Sequence, residues 1–304
     1  MNETAVPEYE GGTVLVTGAL GDVGSWVVER LADHTHVVGV DVDRPEGTRI
    51  NADFRAVDLT EQGPTWETVQ EIDPAKVVHL AAISDPRDNP GTRVFENNVQ
   101  STYNLLEAAG QQGTDVVWTS SQATYGALFA RSEWLPDYLP IDEAHDCRPE
   151  DPYGLSKLCS EEIAQTAARR HGISVTTIRP ASVLLPDKSL ARPHQDITDL
   201  SAGPRAGNLG AYVDVRDLAS LVEAALVDPP AGHETVICAA DQNYLGRETT
   251  ELVQAACGEL PEQCDLKGRE SALSNGKARE LFDWEPAHDW GTGEPDPVDG
   301  PTWV

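Results

Sequence analysis

The stretch "TVLVTGALGDVG", residues 13–24, joins a short apolar run to three glycines in G-x-x-G-x-x-G spacing and leads into a helix-length segment. Glycines at such a turn let backbone N–H groups approach a pyrophosphate, and the start of a helix adds favourable partial charge. Glycines alone are a weak signal, because any tight turn between a strand and a helix also needs them. The stretch predicts a phosphate-binding loop that contains Gly18, Gly21, Asp22, Val23 and Gly24.

Apolar runs alternate with amphipathic stretches through the first part of the chain. Five of these runs have the length and composition of buried strands, at residues 13–18, 36–41, 76–82, 115–121 and 174–180. Segments with helical spacing of their apolar residues lie between them. This alternation is typical of a parallel sheet covered by helices on both faces. The sequence therefore predicts the α/β class, with a Rossmann-type doubly wound parallel sheet.

The alternation weakens after Pro180, which indicates a change of organisation. We expect a dinucleotide-binding domain over residues 12–180 and a smaller C-terminal substrate-binding lobe over residues 181–285, part of which returns to the sheet. Residues 286–304 are rich in proline, glycine and aspartate, and we expect a flexible acidic tail there.

The charge of the chain is strongly negative and dispersed: 51 acidic residues face 22 basic ones, for a net charge of −29. Self-repulsion of this kind is weakened in concentrated salt, where the Debye length falls to about 3 Å at 1 M. We predict a salt-adapted protein of a halophile, with an ordinary acidic enzyme as the alternative. The same charge repels nucleic acids and anionic membrane surfaces, so neither is expected as a partner.

Other features of the sequence favour a cytoplasmic location. The five cysteines contain no C-x-x-C pair, which indicates reduced thiols rather than a disulfide framework. The opening "MNETAVPEYEGG" lacks the apolar core of a signal peptide, and no apolar run approaches the roughly 18 residues that a membrane span needs. The eight histidines are scattered, so no metal site is predicted; His79 lies in a strand, where a core role is expected.

The second predicted strand ends in Asp41, behind the glycine loop in the sequence. A carboxylate at this point accepts the ribose hydroxyls of an adenosine and repels a 2′-phosphate. Asp22 adds a second negative charge, so the predicted cofactor is NAD rather than NADP. Arg44 lies close by in the sequence and leaves NADP open.

Ser121, Tyr153 and Lys157 form the predicted reactive group. Ser121 follows the fourth strand, whose end faces the ligand crevice of a doubly wound sheet. Tyr153 and Lys157 are four residues apart in a helical segment and share one face. A phenol is a poor base at neutral pH, but a neighbouring ammonium favours the phenolate and lowers the pKa of the phenol. We therefore predict that Tyr153 takes a proton from a substrate hydroxyl, which Ser121 holds, while hydride leaves to the cofactor.

Taken together, these motifs resemble the extended short-chain dehydrogenases/reductases, also called the NAD-dependent epimerase/dehydratase family. The likeness covers about residues 12–285 and rests on "TGALGDVG", "VDLT", "VVHLAA", "ENNVQST", "TSSQATYG", "DPYGLSK" and "IRP". By resemblance, Ser121, Tyr153 and Lys157 match the family's catalytic residues, and Tyr153 and Lys157 also contact the cofactor. The resemblance implies further cofactor contacts at Asp58, Leu59, Leu80, Ala81, Ala82 and Asn97.

The sequence after the fifth strand bears on the substrate. Nucleotide-sugar epimerases of the family usually have "RPFN" and a long following segment, whereas this chain has "RPAS" at residues 179–182 and a shorter segment. Both departures favour a small sugar without a nucleotide. By resemblance to uronate and aldose dehydrogenases, Ser84 contacts that sugar. Further candidate substrate contacts are Ser121, Gln122, Ser182 and Arg192, the last of which is either a carboxylate ligand or an idle loop cation.

Three functions stay open at this point. The first is an NAD-dependent sugar dehydrogenase. The second is a nucleotide-sugar 4-epimerase or dehydratase that recycles tightly bound NAD, and the third is an idle redox-sensing protein. By analogy with relatives, helices near residues 99–110 and 154–170 are the candidate surface of a homodimer. Trp134 and Tyr138 either close over a sugar ring or attach their own loop to the protein surface.

Overall fold

The centre of the protein is a parallel sheet. The computed structural model describes residues 12–45, 50–130, 134–186, 206–290, 298, 300 and 301. Its strands in chain order are β1 (Val14–Thr17), β2 (Val37–Asp41), β3 (Ala52–Ala56), β4 (Lys76–His79), β5 (Asp115–Thr119), β6 (Tyr138–Leu139), β7 (Val175–Pro180), β8 (Ser182–Leu184), β9 (Tyr212–Asp214), β10 (His233–Cys238) and β11 (Gln263–Cys264). Among the described residues, seven strands form the main sheet in the order β3-β2-β1-β4-β5-β7-β10. The predicted α/β class and doubly wound sheet are confirmed.

Helices cover both faces of this sheet. They are α1 (Asp22–Ala32), α2 (Gln62–Ile72), α3 (Gly91–Gln112), α4 (Pro152–His171), α5 (Val215–Val227), α6 (Thr249–Cys257) and α7 (Gly276–Phe282). Because side chains alternate along a strand, β1 contributes to two cores. Val14 and Val16 pack in a cluster with residues of α1 and α5, whereas Leu15 packs in a cluster with residues of α3 and α4.

The sheet order places the ligand crevice. The chain runs outward from β1 through β2 to β3, then returns to place β4 on the other side of β1. The connections that follow β1 and β4 therefore leave in opposite directions, and they open a crevice at the carboxyl ends of these strands. The glycine loop after β1 and residues 80–84 after β4 border that crevice.

Strand β3 was not predicted from the sequence. It pairs with β2 in parallel and lies at one edge of the sheet. The five residues of β3 are all partly or fully exposed, so they lack the apolar run that marks the inner strands.

The chain after Pro180 contributes to two regions. Strand β10 joins the edge of the main sheet beside β7, and α5 packs on a sheet face. Part of the segment 181–285 thus returns to the sheet, as expected. The remaining short strands form two small parallel pairs, β8 with β9 and β6 with β11. Because β6 precedes α4 in the chain, the smaller lobe also takes residues from the first half of the sequence.

The predicted flexible tail does not begin at residue 286. The N–H groups of Ala287 and His288 each donate to Asp217, both at 3.0 Å. The Trp290 indole N–H donates to Asp214 Oδ2 at 2.8 Å, and the Trp290 backbone N–H donates to the Tyr212 hydroxyl at 2.7 Å. Asp214 and Asp217 are buried at the start of α5. Buried carboxylates need such donors, which explains why this segment is bound to the body of the protein.

No helix in the described part of the chain combines the length and the apolar character needed to cross a membrane.

The close approach of α1 to the glycine loop gives a first prediction. A Cβ at Gly24 would collide with the carbonyl oxygen of Gly18, which is backbone and has no room to move. We expect Gly24→Ala to lower the free energy of unfolding by about 1–3 kcal/mol, the usual cost of overpacking, and to weaken dinucleotide binding. Denaturant unfolding and calorimetry measure the two effects.

The control is Gly63→Ala in the first turn of α2, where an added Cβ meets no atom within 4 Å. This exchange should raise the free energy of unfolding by up to about 1 kcal/mol, because alanine is the better helix former. Equal stability and equal dinucleotide affinity of the Gly24→Ala variant and the unchanged protein would contradict the proposed packing.

Candidate active site

Two adjoining pockets form a groove across the carboxyl ends of the strands. We call the one lined by Asp41, Asp43 and Asp58 the acidic pocket, with a volume of about 440 Å³. The one lined by Ser121 and Tyr153 is the tyrosine pocket, with a volume of about 390 Å³. Both pockets share part of the glycine loop and the residues after β4, so they form one continuous groove at the switch between β1 and β4. The shared residues are Gly18, Gly21, Leu80 and Ala82.

All fourteen residues predicted to contact the cofactor line this groove. Those in the acidic pocket are Gly18, Gly21, Asp41, Asp58, Leu59, Leu80, Ala81, Ala82 and Asn97. The other five line the tyrosine pocket, and they are Asp22, Val23, Gly24, Tyr153 and Lys157. An extended dinucleotide fits such an arrangement, with its adenosine in the acidic pocket and its nicotinamide in the tyrosine pocket.

Asp41 is fixed at the end of β2 by two backbone donors. Its Oδ2 accepts from the Leu20 N–H at 3.0 Å, and its Oδ1 accepts from the Val42 N–H at 2.8 Å. Since Leu20 belongs to the glycine loop, the first of these bonds ties the carboxylate to the loop. Asp41 is thereby held as a preorganised acceptor in the acidic pocket.

Sequence reasoning missed several residues of the acidic pocket. Arg93, in the first turn of α3, lines the pocket one helical turn before Asn97. Val42, Asp43 and Ser101 line it as well. Val42, Asp43 and Ser101 adjoin recognised residues in the sequence, but only the folded chain shows that their side chains line the pocket.

Tyr153 lies in the first turn of α4, and Asp151 fixes that turn. Asp151 Oδ1 accepts from the N–H groups of Tyr153 at 2.9 Å and Gly154 at 2.8 Å, which caps the helix. A Cβ at Gly154 would lie 2.6 Å from the carbonyl oxygen of Ala123. A residue without a side chain is therefore needed where α4 approaches the turn that follows Ser121.

Lys157 is buried beneath the tyrosine pocket, with 3% of its surface exposed. Its Nζ donates to the Thr119 carbonyl at the end of β5, at 2.7 Å. The same nitrogen lies 5.1 Å from the ring centroid of Trp118 and 5.8 Å from that of Tyr153. Burial lowers the pKa of Lys157 to about 7, and the negative charge of Glu161 opposes this shift.

The predicted lowering of the Tyr153 pKa is not seen. Burial raises the pKa of Tyr153 to about 12, against the opposing effect of a hydrogen bond with Ser121. Lys157 Nζ donates to the Thr119 carbonyl rather than to the phenol oxygen, and burial is the largest cause of the raised Tyr153 pKa. Deprotonation of this phenol therefore needs positive charge beyond that of Lys157.

His79 has the core role that was expected of it. Its Nδ1 lies 2.7 Å from Thr17 Oγ1, and its Nε2 lies 3.1 Å from Thr102 Oγ1. Burial, with a smaller effect of Lys157, lowers the pKa of His79 to about 3. In the described part of the chain, no group of three or more His, Cys, Asp or Glu side chains is placed to hold a metal ion.

The tyrosine pocket collects hydroxyl and amide side chains. The predicted substrate residues Ser84, Ser121, Gln122 and Ser182 all line it. Gln122 Nε2 donates to Ser182 Oγ at 3.0 Å. Arg192, the remaining candidate, lies outside the described residues.

Asn208 orients Ser182, although it was not among the site residues predicted from the sequence. Its Nδ2 donates to Ser182 Oγ at 2.8 Å, while its Oδ1 accepts from the Gly210 N–H at 3.0 Å. Two amide donors thus occupy the acceptor sites of the Ser182 hydroxyl, so its own proton is left to donate. Ser182 therefore offers a hydrogen-bond donor at the wall of the pocket.

Trp134 and Tyr138 attach their loop to the body of the protein rather than cover the pocket. The Trp134 indole N–H donates to the Tyr125 carbonyl at 3.0 Å, and the Tyr138 hydroxyl donates to Asp142 Oδ1 at 2.6 Å. Neither lines the groove. Leu128 lines the tyrosine pocket instead, and the Phe129 ring lies 6.5 Å from that of Tyr153, edge to face.

The buried lysine gives a prediction on stability and pH. Because the pKa of Lys157 falls from 10.5 to about 7 on folding, the unfolded chain binds more protons between these pH values. The free energy of unfolding then rises with pH in this window, by up to about 1.4 kcal/mol per pH unit from this group. Lys157→Met removes the buried charge, so we expect this variant to have the larger free energy of unfolding at about pH 7. The difference from the unchanged protein should be smaller at about pH 9.

Denaturant unfolding at the two pH values measures this difference. Lys267→Met removes an exposed lysine and should show the same difference at both. A difference for Lys157→Met that is constant with pH would mean that the ammonium is not desolvated.

Comparison with known proteins places this groove in a family. A model of the NAD dependent epimerase/dehydratase family matches residues 14–238. UDP-glucose 4-epimerase of Streptomyces lividans is 29% identical over 91% of this chain and 92% of its own length. L-arabinose 1-dehydrogenase (NAD(P)(+)) of Haloferax volcanii is 29% identical over 80% of this chain and 93% of its own length.

A solved structure agrees in fold. A short-chain dehydrogenase/reductase superfamily protein from Agrobacterium tumefaciens, crystallised with bound NAD, has a TM-score of 0.68 at 24% identity, over 91% of this chain and 93% of that chain. The family model spans well over half of the chain, and the resemblance stated from the motifs is thereby confirmed. The protein belongs to the NAD-dependent epimerase/dehydratase family and is an enzyme of the extended short-chain dehydrogenase/reductase type.

Proposed function

We propose that this enzyme is a sugar dehydrogenase, which oxidises a hydroxyl of a small sugar or sugar acid with NAD. The observation that carries the proposal is the composition of the tyrosine pocket. Ser121 and Tyr153 share it with Ser84, Gln122 and Ser182, which are neutral hydrogen-bonding side chains. Such side chains match the hydroxyl groups of a sugar. The similarity to the L-arabinose 1-dehydrogenase (NAD(P)(+)) of Haloferax volcanii, over 80% of this chain, supports the same class of substrate.

The size of the pocket favours a small substrate. As bounded by the described residues, the tyrosine pocket measures about 390 Å³, near the lower end of small-molecule sites. This volume has to hold the nicotinamide end of the cofactor together with the substrate. A single sugar ring fits that limit better than a nucleotide sugar, whose diphosphate also requires paired cations.

The residues of the pocket have distinct roles in the proposed step. When bound, NAD accepts the hydride as the substrate hydroxyl becomes a carbonyl. Tyr153 takes the hydroxyl proton, and Ser121 donates a hydrogen bond that orients the substrate oxygen. Lys157 Nζ lies 5.8 Å from the centroid of the Tyr153 ring, and in its charged form it favours the phenolate. Asp41 holds the adenosine ribose, and its charge favours NAD over NADP.

A nucleotide-sugar 4-epimerase is the second candidate function. The similarity to the UDP-glucose 4-epimerase of Streptomyces lividans over 91% of this chain favours it. The same Tyr153, Ser121 and Lys157 would serve an epimerase, so the reactive group does not distinguish the two. The fate of the reduced cofactor does, because an epimerase returns its hydride to the sugar.

The homodimer remains a prediction, on the surface formed by α3 and α4. Tyr103 and Leu155 are exposed large apolar side chains on these two helices, at 43% and 44%. The cytoplasmic location and the salt adaptation also remain predictions.

The proposed function predicts net reduction of NAD by a small sugar. The purified protein is assayed at high salt with NAD or NADP against aldoses, sugar acids and UDP-sugars, and the absorbance of reduced nicotinamide is followed. We expect net NADH with a small sugar and a preference for NAD. Turnover of UDP-sugars alone, without net NADH, would support the epimerase and reject the dehydrogenase.

Replacing the proposed base tests its role. Tyr153→Phe should lower kcat by about 10²–10⁴-fold, the usual contribution of a positioned acid or base, and leave the NAD dissociation constant nearly unchanged. Tyr138→Phe is the control, because Tyr138 bonds Asp142 outside the groove. Turnover of the Tyr153→Phe variant at the unchanged rate would refute the assignment.

A further inference from the structure

Three residues of α4 stand one helical turn apart on one face: Tyr153, Lys157 and Glu161. The first two line the tyrosine pocket, whereas Glu161 lies beyond it and is 7% exposed. A buried carboxylate is costly unless it is paired. The contacts of Glu161 therefore show what its charge is used for.

Both oxygens of Glu161 accept hydrogen bonds. Oε1 accepts from Ser120 Oγ at 2.6 Å and from Arg179 Nε at 2.9 Å, and Oε2 accepts from Arg179 at 2.7 Å. Arg179, on β7, is itself buried and also donates to the Tyr125 hydroxyl at 2.9 Å. The carboxylate is thus held from two strands. Removing one partner of such a pair would leave an uncompensated buried charge, so Glu161 and Arg179 hold each other in place.

Ser120 connects this ion pair to the reactive group. It stands between Thr119, whose carbonyl accepts from Lys157 Nζ at 2.7 Å, and Ser121. The end of β5 is therefore attached to α4 at two points one helical turn apart, through Lys157 to Thr119 and through Glu161 to Ser120. One attachment would let the strand end pivot against the helix, whereas two fix its angle.

Glu161 also acts on the charge of Lys157. Its carboxylate raises the pKa of Lys157 against the lowering effect of burial. Tyr153 on α4 and His79 on β4 also lie near Lys157, and Asp22 lines the same pocket. Burial lowers the pKa of His79 to about 3, so His79 is neutral. Glu161 is a buried negative charge that favours the ammonium.

We propose that Glu161 is a positioning residue of the active site, which holds Ser121 opposite Tyr153 through Ser120 and places a negative charge one helical turn from Lys157. The kinetic consequence rests on the proposed function, whereas the structural and electrostatic consequences do not.

The first experiment follows the lysine directly. The chain has five lysines, so NMR of protein with ¹³C-labelled lysine gives few signals, and Lys157→Met assigns the one of interest. We expect Glu161→Gln to lower the pKa of Lys157 by about one unit or more, the usual effect of losing an opposite charge nearby. Ser120→Ala should leave that pKa unchanged. A Glu161→Gln variant in which Lys157 titrates as in the unchanged protein would overturn the electrostatic part.

The second experiment tests the attachment. Ser120→Ala removes one hydrogen bond of Glu161 and leaves the Glu161–Arg179 ion pair in place. This variant therefore tests the attachment even if the Glu161→Gln variant does not fold. We expect faster amide hydrogen exchange over residues 119–125. Ser160→Ala is the matched control: it is a buried serine on α4 whose hydroxyl has no hydrogen-bond partner among the described residues. Equal exchange in all three proteins would overturn the proposed attachment.

The third readout separates this proposal from the proposed function. On a sugar that the enzyme oxidises, Ser120→Ala should lower kcat about tenfold and leave the KM and the NAD affinity nearly unchanged, whereas Ser160→Ala should match the unchanged protein. An unchanged kcat for Ser120→Ala would contradict the positioning role. If no sugar is oxidised, the proposed function fails, and the lysine titration and the exchange rates still decide the role of Glu161.

Discussion

The buried side chain of Lys157 joins the sheet to the helix that carries Tyr153. Lys157 Nζ donates to the Thr119 carbonyl at the end of β5 and lies against the Trp118 ring. A desolvated charge in this position is costly unless its partners are fixed, so the end of β5 and the first turns of α4 have to stay together. Tyr153, one turn before Lys157, and Ser121, two residues after Thr119, are brought into one pocket as a result.

The two parts of the chain contribute differently to the groove. The sheet half provides the glycine loop, Asp41, Ser121, Tyr153 and Lys157, which line the groove. The second half provides Ser182, oriented by Asn208, and Gly207 approaches the loop after β5 so closely that a Cβ there would lie 2.5 Å from the Ala127 carbonyl oxygen. The part of the tyrosine pocket that we propose for the substrate is thus built where the smaller lobe meets the sheet.

Much of the fold and the cofactor groove could be predicted from the sequence because the signals are local. Apolar runs mark the inner strands, and the glycine spacing with Asp41 marks the groove. Edge strand β3 was not predicted because its residues are partly or fully exposed. Asn208 and Leu128 were not predicted because only tertiary packing brings them to the pocket. The binding of residues 286–290 depends on buried acceptors on α5, which composition cannot reveal. The prediction that the Tyr153 pKa is lowered was wrong, because desolvation depends on the packed surroundings and not on the spacing to Lys157.

We propose that the phenol of Tyr153 faces the nicotinamide end of a dinucleotide that lies along the groove. A crystal structure of the protein with NAD would show whether it does. We expect adenosine beside Asp41 and the nicotinamide ribose within hydrogen-bond reach, about 3 Å, of the Tyr153 hydroxyl or Lys157 Nζ. A dinucleotide bound elsewhere, or a Tyr153 hydroxyl directed away from the nicotinamide, would contradict it.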